Sequence, residues 1–313
     1  MYNEELKTRF IRSYTQSIKT ARYATVVFNA SEPYELEWGA DLCTRTAEEL
    51  QPVVDNIVGI RYKSQWAAIS ILKEYVKWCI MSSVPGARNG LDGIKIAGLD
   101  KVRKRMVSNP LHLQSYLDAV FDKESENTID NIYRCFFWMA YSGIDEESAL
   151  CIKKDDIDFS SMSIRYCGGM VPIYRDAIPA FKNAANLTSF AYKHPSYSKI
   201  TQRDRVQGDS IMRGVKASVN RATLRRVISD HTEKAIKRGS TDLQLSFYRV
   251  WLSGLFYRMY EHERIGVPVD FSEAAIRYMD GRTYQSKTPF SRQNIIAKDY
   301  MDDYQRWKLA FSV

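Results

Sequence analysis

The stretch Ser142–Phe159, SGIDEESALCIKKDDIDF, constrains the fold more than any other part of the chain. It closes the apolar helical run NIYRCFFWMAY with a Ser-Gly break, restarts as a second short helix and ends in an acidic turn. The turn leads into MSIRY, the best strand candidate in the sequence. Helix, turn, helix, acidic turn and strand follow one another here without a gap.

At 313 residues the chain is long enough for two domains, each with its own core. A hydrophobic content of 45% with 26% charged residues is that of a globular protein, not a disordered one. No apolar run approaches a membrane span, and the N-terminus MYNEELKTRF is charged from the start and lacks the apolar core of a signal peptide. The expectation is a cytoplasmic protein with no membrane partner. The five cysteines, Cys43, Cys79, Cys135, Cys151 and Cys167, are odd in number and widely spaced, and are read as small hydrophobes rather than bridges. No Cys/His spacing suits zinc, so neither a metal nor another cofactor is indicated. A net charge of +8 and a pI near 9.1 favour a polyanionic partner, most simply nucleic acid, where the basic residues cluster.

Residues 1 to about 25 read as a helix with Leu6, Phe10 and Tyr14 on one face. A turn-rich connection follows, with Ser31, Pro33 and Gly39 as breakers. Thr46 and Glu49 form a capping box that starts a short helix interrupted at Pro52. In KSQWAAISILKEYVKWCI, Trp66, Ile69, Leu72, Val76 and Cys79 repeat at helical spacing. The boundary falls in a segment with Pro85, Gly86, Gly90, Gly93 and Gly98 that ends in the basic run Lys101, Arg103, Lys104 and Arg105. That run suits either a solvated linker or contact with phosphate. Beyond the opening stretch, SMSIRY and MVPIY flank Cys167-Gly168-Gly169 as a β-hairpin with Gly168-Gly169 at the turn. Tyr192–Ser210 reads as a polar loop. A basic helical region from about Lys216 to Arg238 carries Arg221, Arg225, Arg226, Lys234, Lys237 and Arg238 around an apolar face. An aromatic helix follows and is stopped by Gly266 and Pro268, and a last helix runs from about Ser291 to Phe311.

The opening stretch resembles the segment that begins the catalytic domain of tyrosine recombinases, the phage integrase family. The family pattern reads roughly T-G-L-R-x-S-E-L-L-x-L-x-W-x-D-I-D. Here Ser142, Gly143, Ile144, Leu150, Ile152, Asp156, Ile157 and Asp158 fall in register with it. The resemblance implies a mainly α fold with a small β-hairpin or sheet and the two-domain tyrosine recombinase architecture. Its parts would be a helical core-binding domain over 1–95, a basic linker over 96–108 and an integrase catalytic-like domain over 109–313. It also implies double-stranded DNA as partner, DNA recombination or integration for a mobile element, and a C-terminal helix that docks a second copy of the chain.

Such enzymes cut DNA with a tyrosine hydroxyl while two arginines, a hairpin lysine and two His-like residues serve the phosphate and the leaving oxygen. In the pattern that resembles the second arginine's motif, Arg249 is retained and Ser246 stands where the family has His or Lys. At the start of an apolar helix Arg249 suits either bidentate phosphate contact or packing on the preceding helix. The first arginine's position holds Asp145. At about 4 Å and an effective dielectric of about 20, that reversal changes the interaction with a phosphate from about −4 to about +4 kcal/mol. Taken without the family, Asp145-Glu146-Glu147 is an acidic cluster at a helix N-terminus. The hairpin turn offers no lysine, with Arg165 the nearest cation, and Met279-Asp280-Gly281 lacks the histidine expected there. The nucleophile is open among Tyr284, Tyr300 and Tyr304. Tyr300 and Tyr304 share a helix face with Ile296, Trp307 and Phe311, a stripe that also suits packing.

Three readings follow. The first is a duplex-DNA-binding protein of this architecture whose strand cleavage is lost or impaired, holding DNA through Lys101, Arg103, Lys104, Arg105, Arg221, Arg225, Arg226, Lys234 and Arg249. The second is an atypical but active recombinase using Arg249 with Tyr300 or Tyr304. The third is a helical protein-interaction module, which the 20 Tyr, 13 Phe and 6 Trp leave open.

Overall fold

In a computed structural model the described residues are 1–57, 59, 61–94, 98–121, 129–193, 200–214, 219–279 and 289–313. They are mainly helical with two small antiparallel sheets, as the sequence leads one to expect. They divide into two compact units, one of residues 1–102 with 271–313 and one of residues 103–270. Among the described residues no helix is long and apolar enough to cross a membrane.

The first unit contains α1 (Glu4–Tyr14), α2 (Ile18–Trp38), α3 (Ala47–Ile57), α4 (Tyr62–Met81) and the start of α5 (Leu99–Arg105). The single N-terminal helix expected from the sequence is two, because Thr15 turns extended and Ser17 caps α2 by accepting from the Thr20 amide. The breakers Ser31 and Pro33 lie inside α2, which ends only at Gly39 with φ +61°. Proline removes one helical hydrogen bond, but the turn around it is anchored inside the core. Lys7 and Glu35 are both fully buried and ion-paired, Ser31 Oγ donates to Glu35 at 2.8 Å, and the Leu42 amide donates to it at 2.9 Å. Burial pushes the Glu35 carboxyl up from its ordinary range, against the pull of Lys7 and the Leu42 amide. The capping box forms as read, with the Thr46 amide donating to Glu49 at 2.9 Å and the Glu49 amide donating to Thr46 Oγ1 at 3.3 Å. Its helix runs on through Pro52. Phe10, Phe28 and Tyr75 meet edge to face at the centre of this core.

Residues 271–313 group with this unit rather than with the segment to which the sequence joins them. They form α12 (Ser272–Met279) and α13 (Pro289–Phe311). Asp303 accepts from the Tyr62 amide at 2.6 Å and pairs with Arg61, and Arg306 donates to Gln65, which fixes α13 to the start of α4. The stripe of Ile296, Tyr300, Tyr304 and Trp307 is buried within the unit, so the face expected to meet a second copy is covered by the chain's own residues.

The second unit contains α6 (Pro110–Val120), α7 (Asp130–Tyr141), α8 (Glu146–Cys151), α9 (Ile178–Asn186), α10 (Arg221–Lys237) and α11 (Phe247–Arg264). Strands β1 (Ile157–Asp158), β2 (Ser163–Tyr166) and β3 (Gly169–Pro172) form one antiparallel sheet, and β4 (Ser189–Lys193) and β5 (Ile200–Asp204) a second. The first hairpin turns on Cys167 and Gly168, both with positive φ, while Gly169 pairs with Tyr166. This is a two-residue turn of the hairpin-favouring primed kind, one residue earlier than the Gly168-Gly169 turn read from the sequence. The polar loop expected over Tyr192–Ser210 contains β5 and the end of β4, except for residues 194–199, which lie outside the described set. The basic run expected as linker forms α5 over Leu99–Arg105. Helix α7 is buried on every side, from Ile132 to Tyr141, and is the centre of this unit's core.

Candidate functional site

Glycine builds the corner at the heart of the opening stretch. Gly143 has φ +99°, and a Cβ there would stand 2.9 Å from Arg258 Nη2. Arg258 donates to the Tyr141 carbonyl at 2.6 Å and Trp251 Nε1 donates to the Gly143 carbonyl at 3.1 Å. Two α11 side chains therefore satisfy the Tyr141 carbonyl that α7 leaves open at its end and the Gly143 carbonyl just beyond it. Gly254 of α11 lies directly against Tyr141, where an added Cβ would overlap the carbonyl oxygen and come within 2.7 Å of its carbon.

The chain leaves this corner at Asp145, the N-cap of α8. Its Oδ1 accepts from the Glu147 and Ser148 amides, each at 2.9 Å, and its Oδ2 accepts from Ser148 Oγ at 2.6 Å and Tyr166 Oη at 2.7 Å. Burial raises the carboxyl's pKa, but the bonds from Ser148, Tyr166 and Glu147 outweigh it and hold the group below the usual carboxylate range. Arg249 is not among its partners. The depressed pKa sets the pH dependence. Stability from Asp145 is present above its unfolded value of about 3.9 and is lost as pH falls through the lower folded value. Asp145→Ala is expected to cost about 1 kcal/mol at neutral pH. Urea denaturation at pH 7 and pH 3 measures it, and the gap from the unsubstituted chain narrows at the acid end.

Glu146 and Glu147 point to α10. Glu146 pairs with Arg221 at 2.6 Å and with Arg225 at 2.5 Å, and Glu147 reaches Arg221 at 3.4 Å. Arg221 and Arg225, expected as two of the DNA cations, are thus each engaged by a carboxylate. Arg226 and Lys234 of α10 are exposed, as are Arg103, Lys104 and Arg105 of α5. Lys101 donates to the Asn56 carbonyl. Lys216, at the start of the basic region, lies outside the described residues.

Ser246 is the N-cap of α11 and accepts from the Arg249 amide at 3.4 Å. The Arg249 guanidinium lies 5.7 Å from the centre of the Tyr248 ring, and Tyr248 stacks on Trp251. A cleft of about 510 Å³ between α10 and the start of α11 brings Arg225 and Ser246 together with Glu233, Gln244, Phe247 and Tyr248. Arg249 does not line it. Arg165 is exposed on β2, opposite Met170.

Tyr300 and Tyr304 belong to the other unit. They are 1% and 0% exposed, and both rings pack on Phe271. Tyr284 and the Asp280-Gly281 pair lie outside the described residues. Sequence reading missed Tyr166, Trp251 and Arg258. It also missed that Glu146 faces α10, although Arg221 and Arg225 are four apart on one helix face and so carried a readable hint.

Residues 1–81 match the family model for the MrpR N-terminal core-binding domain. No curated protein matches the chain. The crystal structure of XerA recombinase matches with 15% identity and a TM-score of 0.38, over 85% of this chain and 86% of that one. The Tn1549 transposon integrase, solved in complex with circular intermediate DNA, matches with 12% identity and a TM-score of 0.37, over 93% and 97%.

Proposed function

We propose that this chain, which opens with a core-binding domain of the MrpR type, is a duplex-DNA-binding protein of tyrosine recombinase architecture that does not cut its DNA. The observation that carries the reading is at residue 145. A carboxylate occupies the position of the family's first arginine, and its oxygens already accept four hydrogen bonds from the fold. Such a group repels a phosphate and has no reason to reorient. The retained cation, Arg249, serves phosphate contact together with Arg103, Lys104, Arg105, Arg226 and Lys234, in a chain of net charge +8. Tyr300 and Tyr304 serve packing, since both are buried and Tyr304 stacks on Trp307. Docking of a second copy through the Ile296, Tyr300, Tyr304 and Trp307 stripe would require α13 to leave its own unit.

Gel-shift titrations of a duplex across a salt series test the binding. Affinity is expected to fall steeply with salt, and Arg226→Gln and Lys234→Gln each to flatten the slope by about 0.9. Affinity that is flat between low and moderate salt contradicts the proposal.

A further inference from the structure

Two arginines of α10 converge on one carboxylate in a way that suits a phosphate. Arg225 holds Glu146 with both Nε and Nη2, at 2.9 and 2.5 Å, and Arg221 Nε reaches the same carboxylate at 2.6 Å. The Glu146 side chain is only 10% exposed, whereas Arg221 and Arg225 are 46% and 60% exposed. The carboxylate is thus enclosed by guanidinium groups that themselves face solvent. Planar guanidinium forks bind a carboxylate and a phosphate with the same bidentate geometry. Both arginines face solvent, where salt screens the pair and their guanidinium faces stay open to a denser anion that can displace the carboxylate.

We infer that Arg221 and Arg225 form a phosphate site that the chain fills with its own Glu146, so that a backbone phosphate of duplex DNA binds there only by expelling that carboxylate. The inference rests on the DNA-binding reading above and adds to it a built-in restraint on affinity. Glu147, 82% exposed and 3.4 Å from Arg221, is a minor partner. Asp145 is fully occupied elsewhere and takes no part.

The test compares the full-length chain with Glu146→Gln, Arg221→Gln/Arg225→Gln and the triple variant. Duplex binding is followed against salt, with thermal melts confirming that each variant folds. Glu146→Gln is expected to steepen the slope of log affinity against log salt by about 1.8, for two released phosphate contacts. Affinity near 0.1 M salt should rise more than tenfold, and the gain should vanish in the triple variant. The double arginine variant should bind like the unsubstituted chain. A Glu146→Gln slope equal to that of the unsubstituted chain overturns the inference. So does an equal loss of slope from the double arginine variant alone, because the arginines would then already lie on phosphate. If no variant binds duplex at all, the DNA reading fails, and calorimetry with inorganic pyrophosphate decides the site by itself. Binding to Glu146→Gln but not to the triple variant supports it, and identical behaviour of both overturns it.

Discussion

Gly254→Ala is expected to destabilise the second unit by about 3 kcal/mol or more, near the upper end of what overpacking costs. The added methyl would overlap the Tyr141 carbonyl oxygen and stand 2.7 Å from its carbon and 2.9 Å from its Cα. All three are backbone atoms of a helix buried on every side, so they cannot yield as the tip of a long side chain would. The same contact sets the corner after Tyr141, because Trp251 and Arg258 reach Gly143 and Tyr141 from positions three and four residues either side of Gly254. Relief by separating α7 from α11 would break both bonds. Thermal melts followed by circular dichroism should show a fall of about 6 °C or more. Gly254→Ser should behave the same way, whereas alanine at the open, exposed Gly239 position, with φ +71°, should show only the smaller cost of its backbone conformation.

Lys7→Met should cost about 3–5 kcal/mol, because it leaves the fully buried Glu35 carboxylate without its counter-charge. Ser31 and the Leu42 amide still donate to Glu35, but neutral donors do not replace an ammonium group. Lys7→Met/Glu35→Leu should recover most of the loss, since exchanging a whole buried pair for apolar groups is often neutral. A double-mutant cycle by urea denaturation reads the coupling directly, and simple additivity of the two single losses would refute this account of the pair. The pair joins α1 to α2 within residues 1–81, the segment that matches the core-binding family model.

What was legible in the sequence was local chemistry. The capping box at Thr46–Glu49 formed because its partners lie three residues apart, and the corner at Ser142–Asp145 formed because Gly143 and Asp145 carry their own turn and cap. What was not legible was set by distant partners. Pro33 reads as a breaker, yet α2 continues through it because Glu35 is needed beneath Lys7, 28 residues away. The polar residues of β5 show no alternation, and only the pairing with β4 makes them a strand. Asp145 was legible both from register and as an acidic helix start, but Tyr166, the residue that ties it to the hairpin, has no signature in a single chain. The α13 stripe had the right period for a helix face, and nothing in that period names α4, more than two hundred residues earlier, as its cover.

The central claim, binding without cleavage, is tested most directly by a suicide duplex. The full-length chain is incubated at low salt with nicked duplexes covering its bound site, and denaturing gels are read for a covalent protein–DNA product. Retention of the duplex in native gels with no covalent product is the predicted result. A covalent product that disappears in Tyr300→Phe or Tyr304→Phe would contradict the account, because it would require a buried packing tyrosine to act as a nucleophile.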